Sequence, residues 1–334
     1  MWAISNPTPY AADSTWVRDK QGAHQWIVVV KATFDVSESG KVSQSDEQIA
    51  PLLSPEYHGE PGQSSLRYEA EMVSSKSTTD ILFAGAAYAP KGLSVHKLGV
   101  SLRLGPVYKE LVVFGTRVYH ASIMGVALSS PARFKVRRMT YEWAYGGTDL
   151  GGPDPKKHLM DTRNPVGKGV AAKAGALVDQ PGHSIEYPQG NPAKTGPAGF
   201  GPIASHWSPR LELAGTYDER WRETRLPLLP LDYDERHVLC APIDQRPPRH
   251  LIGGEPVELV NLCERGSWRF HLPRLDVSFV TAFGSRRVEH RGTLATVTLE
   301  PECGRFTMAW QTSLPVLGPD SDYLDVTTIK VRSP

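Results

Sequence analysis

Between Tyr141 and Asp234 the chain almost stops using the residues that build strands. The stretch runs through MTYEWAYGGTD, NPVGKG, GPAGFGPIASHWSPRLELAGTYDERW and RLPLLPLDYD. It is rich in Gly, Pro, Trp, Tyr, Asp and Arg and poor in Val, Ile and Leu, the reverse of the segments on either side. Glycine and proline interrupt regular structure. A segment of about ninety residues left loose would far exceed the loops that compact domains tolerate. The stretch is therefore expected to be an ordered, non-repetitive central insertion packed on two β-rich regions. The expected organisation is 1–140, 141–235 and 236–334, either as regions or as one continuous domain over 1–334.

The flanks carry strand signals. HQWIVVVKATFDV sets Trp26, Val28, Val30, Ala32 and Phe34 on one face, and its β-branched density favours strand over helix. Ser37 to Gly40 reads as a hairpin turn, and 44–76, with Pro51, Pro55 and Pro61, reads as loop. ILFAGAAYAP, LSVHKLGVSLRLG and VYKELVVFGTRVYH follow as strands, with a turn at Gly105-Pro106 and a bulge or turn at Gly115. After Asp234 strands and turns alternate, with short connections at Glu264-Arg265-Gly266 and Gly284-Ser285 and a last strand from Tyr323. TYDERWRE is the best short-helix candidate. The pattern predicts a mainly β fold of antiparallel sheets, a sandwich or an open barrel-like arrangement.

Charge narrows the function. Among 334 residues, 37 Lys+Arg balance 36 Asp+Glu, which argues against a general nucleic-acid binder, since that needs excess cations to displace counterions. No window approaches ~18 apolar residues, so no membrane span is expected. The N-terminus has no basic and apolar leader, which makes a cytoplasmic protein the default. Cys240, Cys263 and Cys303 fit no metal or redox spacing and are expected as free thiols. GPAGFG lacks the strand and helix that a dinucleotide fingerprint requires, and no phosphate loop, zincin motif or nucleophile elbow occurs. No cofactor and no metal are expected.

The central acids Asp149, Asp154, Asp218, Glu219, Asp232, Asp234 and Glu235 could supply an opposed carboxylate pair, so a carbohydrate-active hydrolase is one alternative. Acids in Gly/Pro-rich loops more commonly accept backbone N–H bonds in turns. His158, His183, His206, His237 and His250 show no ligand spacing, and the neighbours Ser205-His206 and His183-Ser184 cannot supply triad geometry. The aromatic and arginine residues Trp143, Tyr145, Phe200, Trp207, Arg210, Tyr217, Arg220 and Trp221 are the candidate partner-binding residues. Trp, Tyr and Arg dominate interface hot spots, although some of these must pin the insertion to its own sheets.

The blocks YEWAYGGTD, NPVGKG, PAGFGPIASHWSPR, AGTYDERW and PLLPLDYDER, with WAISNPTPY, YHGEPGQSSLRYEAE, TDILFAGAAYAP and GGEPVELVNLCERGSWRFHLP, occur here in one order over about 2–280. In this the chain resembles a bacterial family first described as a domain of unknown function, whose genes accompany the spike proteins and toxic effectors of type VI secretion systems. The chain departs from the pattern at Thr116, where an acidic residue is expected, and that puts any ion pair of this position in doubt. The resemblance implies an effector adaptor or chaperone: a cytoplasmic protein that binds a toxic effector or its spike-tip domain and helps load it onto the spike. It carries no catalytic residues over. A structural component of the spike is the other alternative.

Overall fold

The computed structural model describes residues 2–151, 154, 156, 158–316 and 324–332. The first strands are β1 (Ala3–Ser5), β2 (Ala11–Arg18), β3 (His24–Val36), β4 (Val42–Gln44) and β5 (Asp80–Phe83). They are followed by the hairpin of β6 (Lys97–Leu104) and β7 (Val107–Phe114), and by β8 (Ile185–Glu186) from the central stretch. Three more hairpins follow, β9 (Pro256–Val260) with β10 (Ser267–His271), β11 (Asp276–Phe283) with β12 (Arg286–Arg291), and β13 (Thr293–Glu300) with β14 (Arg305–Val316). Strand β15 (Leu324–Arg332) follows them; Tyr323, where the sequence starts this strand, lies outside the described residues.

These strands make three sheets. A six-stranded sheet runs β2-β3-β14-β13-β5, with β4 added on β3; a five-stranded sheet runs β8-β7-β6-β9-β10; a four-stranded sheet runs β1-β15-β11-β12. Pairing within them is antiparallel except for β1 on β15 and β5 on β13. The fold is mainly β, and the sheets pack on one another instead of closing into a barrel.

The alternation in β3 explains the packing. Trp26, Val28, Val30, Ala32 and Phe34 are all buried on one face and meet Phe306, Met308 and Trp310 of β14 in the main core. The five-stranded sheet closes over this face: Phe270 stacks on Phe306 with centroids 4.7 Å apart, and Phe306 stacks on Phe34 at 5.3 Å. The four-stranded sheet covers the other end, where Trp26 Nε1 donates to Thr327 Oγ1 at 2.9 Å. Each such ring or branched side chain contributes about 1.5–3 kcal/mol by leaving water.

The opposite face of the six-stranded sheet is polar and also covered. Lys31, Thr33, Thr296, Thr298, Thr307 and Gln311 are buried there. The segment 45–76, loop-like as its prolines predict, lies across them. Gln48 Nε2 donates to the Thr33 carbonyl at 3.0 Å, Gln311 Nε2 donates to the Val73 carbonyl, and Met72 packs with Ile27, Val29 and Ala309.

The central stretch holds only short pieces of regular structure, including α1 (Pro192–Thr195) and α2 (Glu219–Thr224), the latter overlapping the predicted TYDERWRE. Side chains replace ladders as its framework. The fully buried Asn164 donates from Nδ2 to the carbonyls of Tyr141 at 2.8 Å and Tyr145 at 3.0 Å. The buried Gln245 donates to the carbonyls of Ile81 at 2.8 Å and Phe200 at 2.9 Å, tying the stretch to β5. Gly146 has φ +146°, and a Cβ there would stand 2.3 Å from the Asn164 carbonyl oxygen, so YGGTD needs its glycine. Gly115 ends β7 rather than bulging within it; a Cβ there would meet the Ala132 carbonyl oxygen at 1.8 Å.

Candidate functional site

The aromatic and arginine residues singled out in the sequence fall into three settings. Phe200, Trp207 and Arg210 are interior, exposed by only 0%, 1% and 4%. Phe200 packs edge-on against Phe83 at 5.8 Å, and Trp207 against Tyr141 at 5.8 Å. Arg210 pairs with Glu69 and donates from Nε to the His237 carbonyl at 2.9 Å. A partner cannot reach these side chains in the folded protein; they fasten the insertion to its support. Trp143 and Tyr145 are half-buried. Trp143 has the Arg137 guanidinium 4.1 Å and the Lys168 ammonium 3.6 Å from its ring centroid. Tyr145 meets His183 edge-on at 5.5 Å, and His183 in turn contacts the Tyr119 hydroxyl at 3.1 Å and Glu186 at 3.1 Å. Thr116 accepts from Arg137 Nη2 at 3.2 Å, so an acid at this position would face a guanidinium.

Tyr217, Arg220 and Trp221 form the third setting, a lobe over 215–236. Asp218 caps α2 by accepting from the Trp221 N–H at 2.8 Å. Trp221 Nε1 donates to the Leu228 carbonyl at 2.8 Å, and Tyr217 stands edge-on to its ring at 4.7 Å. Asp232 closes the base by accepting from the Thr216 N–H at 3.0 Å and hydroxyl at 2.7 Å. Arg225 donates to the carbonyls of Leu229 and Lys20, joining the lobe to the β2–β3 turn. The framework is internal, and large apolar groups face out: Tyr217 is 54% exposed, Leu226 58% and Leu231 72%. Arg220 is exposed beside them in sequence.

Four acids of the hydrolase alternative, Asp149, Asp218, Asp232 and Asp234, are engaged in turns and caps. Asp149 accepts from the N–H groups of Ala172 and Gly151, at 2.8 Å each, and those bonds hold its carboxyl below the usual range. The Thr216 N–H and hydroxyl do the same for Asp232, and Asp218 is a helix cap. The Arg236 guanidinium pairs with Asp234 at 2.6 Å and draws its carboxyl down to about 2.

A feature that the sequence reading missed lies on the covered polar face of the six-stranded sheet. There β13, β14 and the 45–76 segment enclose a cleft of about 340 Å³. Adjacent cross-strand pairs Thr298–Thr307 and Glu300–Arg305 contribute to its lining. Three ion pairs line or border it, Lys31 with Glu71 at 2.7 Å, Lys76 with Asp80 at 2.8 Å, and Arg305 with Glu300 at 3.2 Å, and the exposed Glu47, Glu56 and Arg67 line it as well. The Tyr68 hydroxyl donates to the other Glu300 oxygen; burial first, and then that carboxylate, push the phenol up. Burial pushes up the Cys240 thiol, which donates to Asp80 at 3.4 Å. Arg67, Tyr68 and Glu300 also border a second cavity of about 530 Å³, lined by His58, Arg138 and Glu142 among others. The signal was present in the sequence as the polar half of the alternation, Lys31 and Thr33 in β3 and Thr296, Thr298 and Glu300 in β13.

Among the described residues no group of His, Cys, Asp and Glu is placed to hold a metal ion, and no helix is long and apolar enough to cross a membrane. A family model described as "Uncharacterized protein conserved in bacteria (DUF2169)" matches residues 21–311. No curated protein and no solved structure matches the chain.

Proposed function

The chain belongs to this bacterial family, and from that premise we propose that it is a protein-binding adaptor: a cytoplasmic chaperone that holds a type VI secretion effector, or its spike-tip domain, until the spike is loaded. The observation that carries the reading is the 215–236 lobe. It presents Tyr217, Leu226 and Leu231 to solvent on a backbone already fixed by its own hydrogen bonds. A preorganised apolar and aromatic surface loses little entropy when it docks, and Tyr, Trp and Arg are the residues that concentrate binding energy. The order of sequence blocks over 2–280 supports the secretion context. Binding the folded effector stabilises it by mass action, and handover to the spike requires an affinity that assembly can overcome.

The test is deletion of the gene in cells that express the secretion genes. The expected result is loss of the neighbouring effector from the secreted fraction and a lower amount of it in the cytoplasm. A soluble, stable effector that is secreted normally without this chain would sink the proposal.

A further inference from the structure

The enclosed cleft on the six-stranded sheet is not part of the lobe and is unused by the adaptor reading. Its lining poses a specific chemical question. Thr298 and Thr307 face each other across β13 and β14 and are only 7% and 3% exposed. Both line the cleft, and neither hydroxyl has a hydrogen-bond partner among the described residues. Neither hydroxyl is among the sealed, unpartnered side-chain atoms, so both remain open to solvent in the cleft they line. The nearby Thr296 differs, because its hydroxyl accepts from Lys76 Nζ at 2.9 Å. Hydroxyls that open onto a cleft offer a donor and an acceptor to whatever fills it, solvent or ligand.

The charge pattern selects among visitors. The less exposed cations each have a carboxylate, Lys31 with Glu71, Lys76 with Asp80 and Arg305 with Glu300, while the cleft's remaining cation, Arg67, is exposed. A phosphate or other anion would need an unmatched cation at depth, and an ammonium would need an unmatched carboxylate; desolvating either without a partner is costly. A neutral molecule with several hydroxyl or amide groups meets both demands. It can bond the threonines and share the outer lone pairs and protons of the fixed ion pairs. The Tyr68 ring at the wall adds a flat apolar surface. The volume, about 340 Å³, falls at the small end of ligand sites. We propose that this cleft is a binding site for a small, neutral, polyhydroxylated ligand of the saccharide class, with the hydroxyls of Thr298 and Thr307 as its recognition pair. This site uses none of the central-loop acids.

The test titrates the full chain with glucose and N-acetylglucosamine, and separately with inorganic phosphate, following the methyl resonances of Thr298 and Thr307. The expected result is saturable shifts at both threonines with at least one of the two sugars and none with phosphate. The double variant Thr298→Val, Thr307→Val keeps side-chain shape in a strand and should bind about tenfold more weakly. Should the variant not fold, the wild-type methyl shifts still decide. Saturation by phosphate instead of sugar, no shift with either sugar, or sugar binding undiminished in the double variant would each overturn the assignment.

Discussion

Asp80 is fully buried and accepts from Lys76 Nζ at 2.8 Å, the Cys240 N–H at 2.9 Å and the Ala241 N–H at 3.0 Å. Burial alone would raise its pKa; the Lys76 ammonium, the Cys240 N–H and the nearby Arg246 outweigh that and lower it. A carboxyl whose folded value is depressed gives stability that is whole above its unfolded value and is lost as pH falls through the folded one. Acid unfolding is therefore expected to set in below about pH 4, the unfolded carboxyl range. Asp80→Asn should cost about 3–5 kcal/mol by leaving Lys76 buried without its counter-charge, and it should flatten the acid limb. Chemical denaturation at a series of pH values checks both; an unchanged acid limb in the variant would contradict the assignment. The sequence showed an Asp at the start of an apolar strand. It held no sign that residues 240 and 241 would meet that Asp, because the contact spans 160 positions.

Among the elements, those defined by local alternation were legible and those defined by distant pairing were not. β3 shows its core face in Trp26 to Phe34, Gly284-Ser285 turns β11 into β12, and TYDERWRE makes α2. The parallel pairing of β5 with β13 left no local trace, since it joins residues near 80 to residues near 296. The polar cleft was overlooked for a related reason. Period 2 separates two faces, but it does not tell that a Pro-rich loop will cover the polar one. Within the central stretch, composition identified the pinning side chains without separating buried from exposed ones: Trp207 and Tyr217 look alike in sequence and lie at 1% and 54% exposure. Asn164 joins two carbonyls of the central stretch from inside it. Asn164→Ala would leave the carbonyls of Tyr141 and Tyr145 without their donor and should cost about 1–3 kcal/mol. Thermal unfolding measures that cost, and hydrogen exchange should quicken locally over 141–147 and 161–169; unchanged exchange there would show that the local framework does not depend on this residue.

For the whole molecule, the main core reaches from the sheets into the insertion at Ala198 and Phe200, and a smaller cluster around Tyr141 and Trp207 lies apart from it. Phe83, Phe200, Phe270 and Phe306 all belong to the main cluster. The 215–236 lobe is tied to this body by hydrogen bonds, Arg225 to the Lys20 carbonyl and Lys20 Nζ to the Tyr233 carbonyl at 3.4 Å, so replacing its exposed side chains should leave the fold intact. That separation makes the central claim directly measurable. Calorimetric titration of the purified neighbouring effector, or its spike-tip domain, into the chain and into Tyr217→Ala, Leu231→Ser is the decisive comparison. The account predicts binding by the wild type, roughly 30-fold weaker binding by the double variant, and matching thermal unfolding of the two proteins. Equal affinity for both would move the interface away from the lobe, and no heat with the wild type would contradict the adaptor itself.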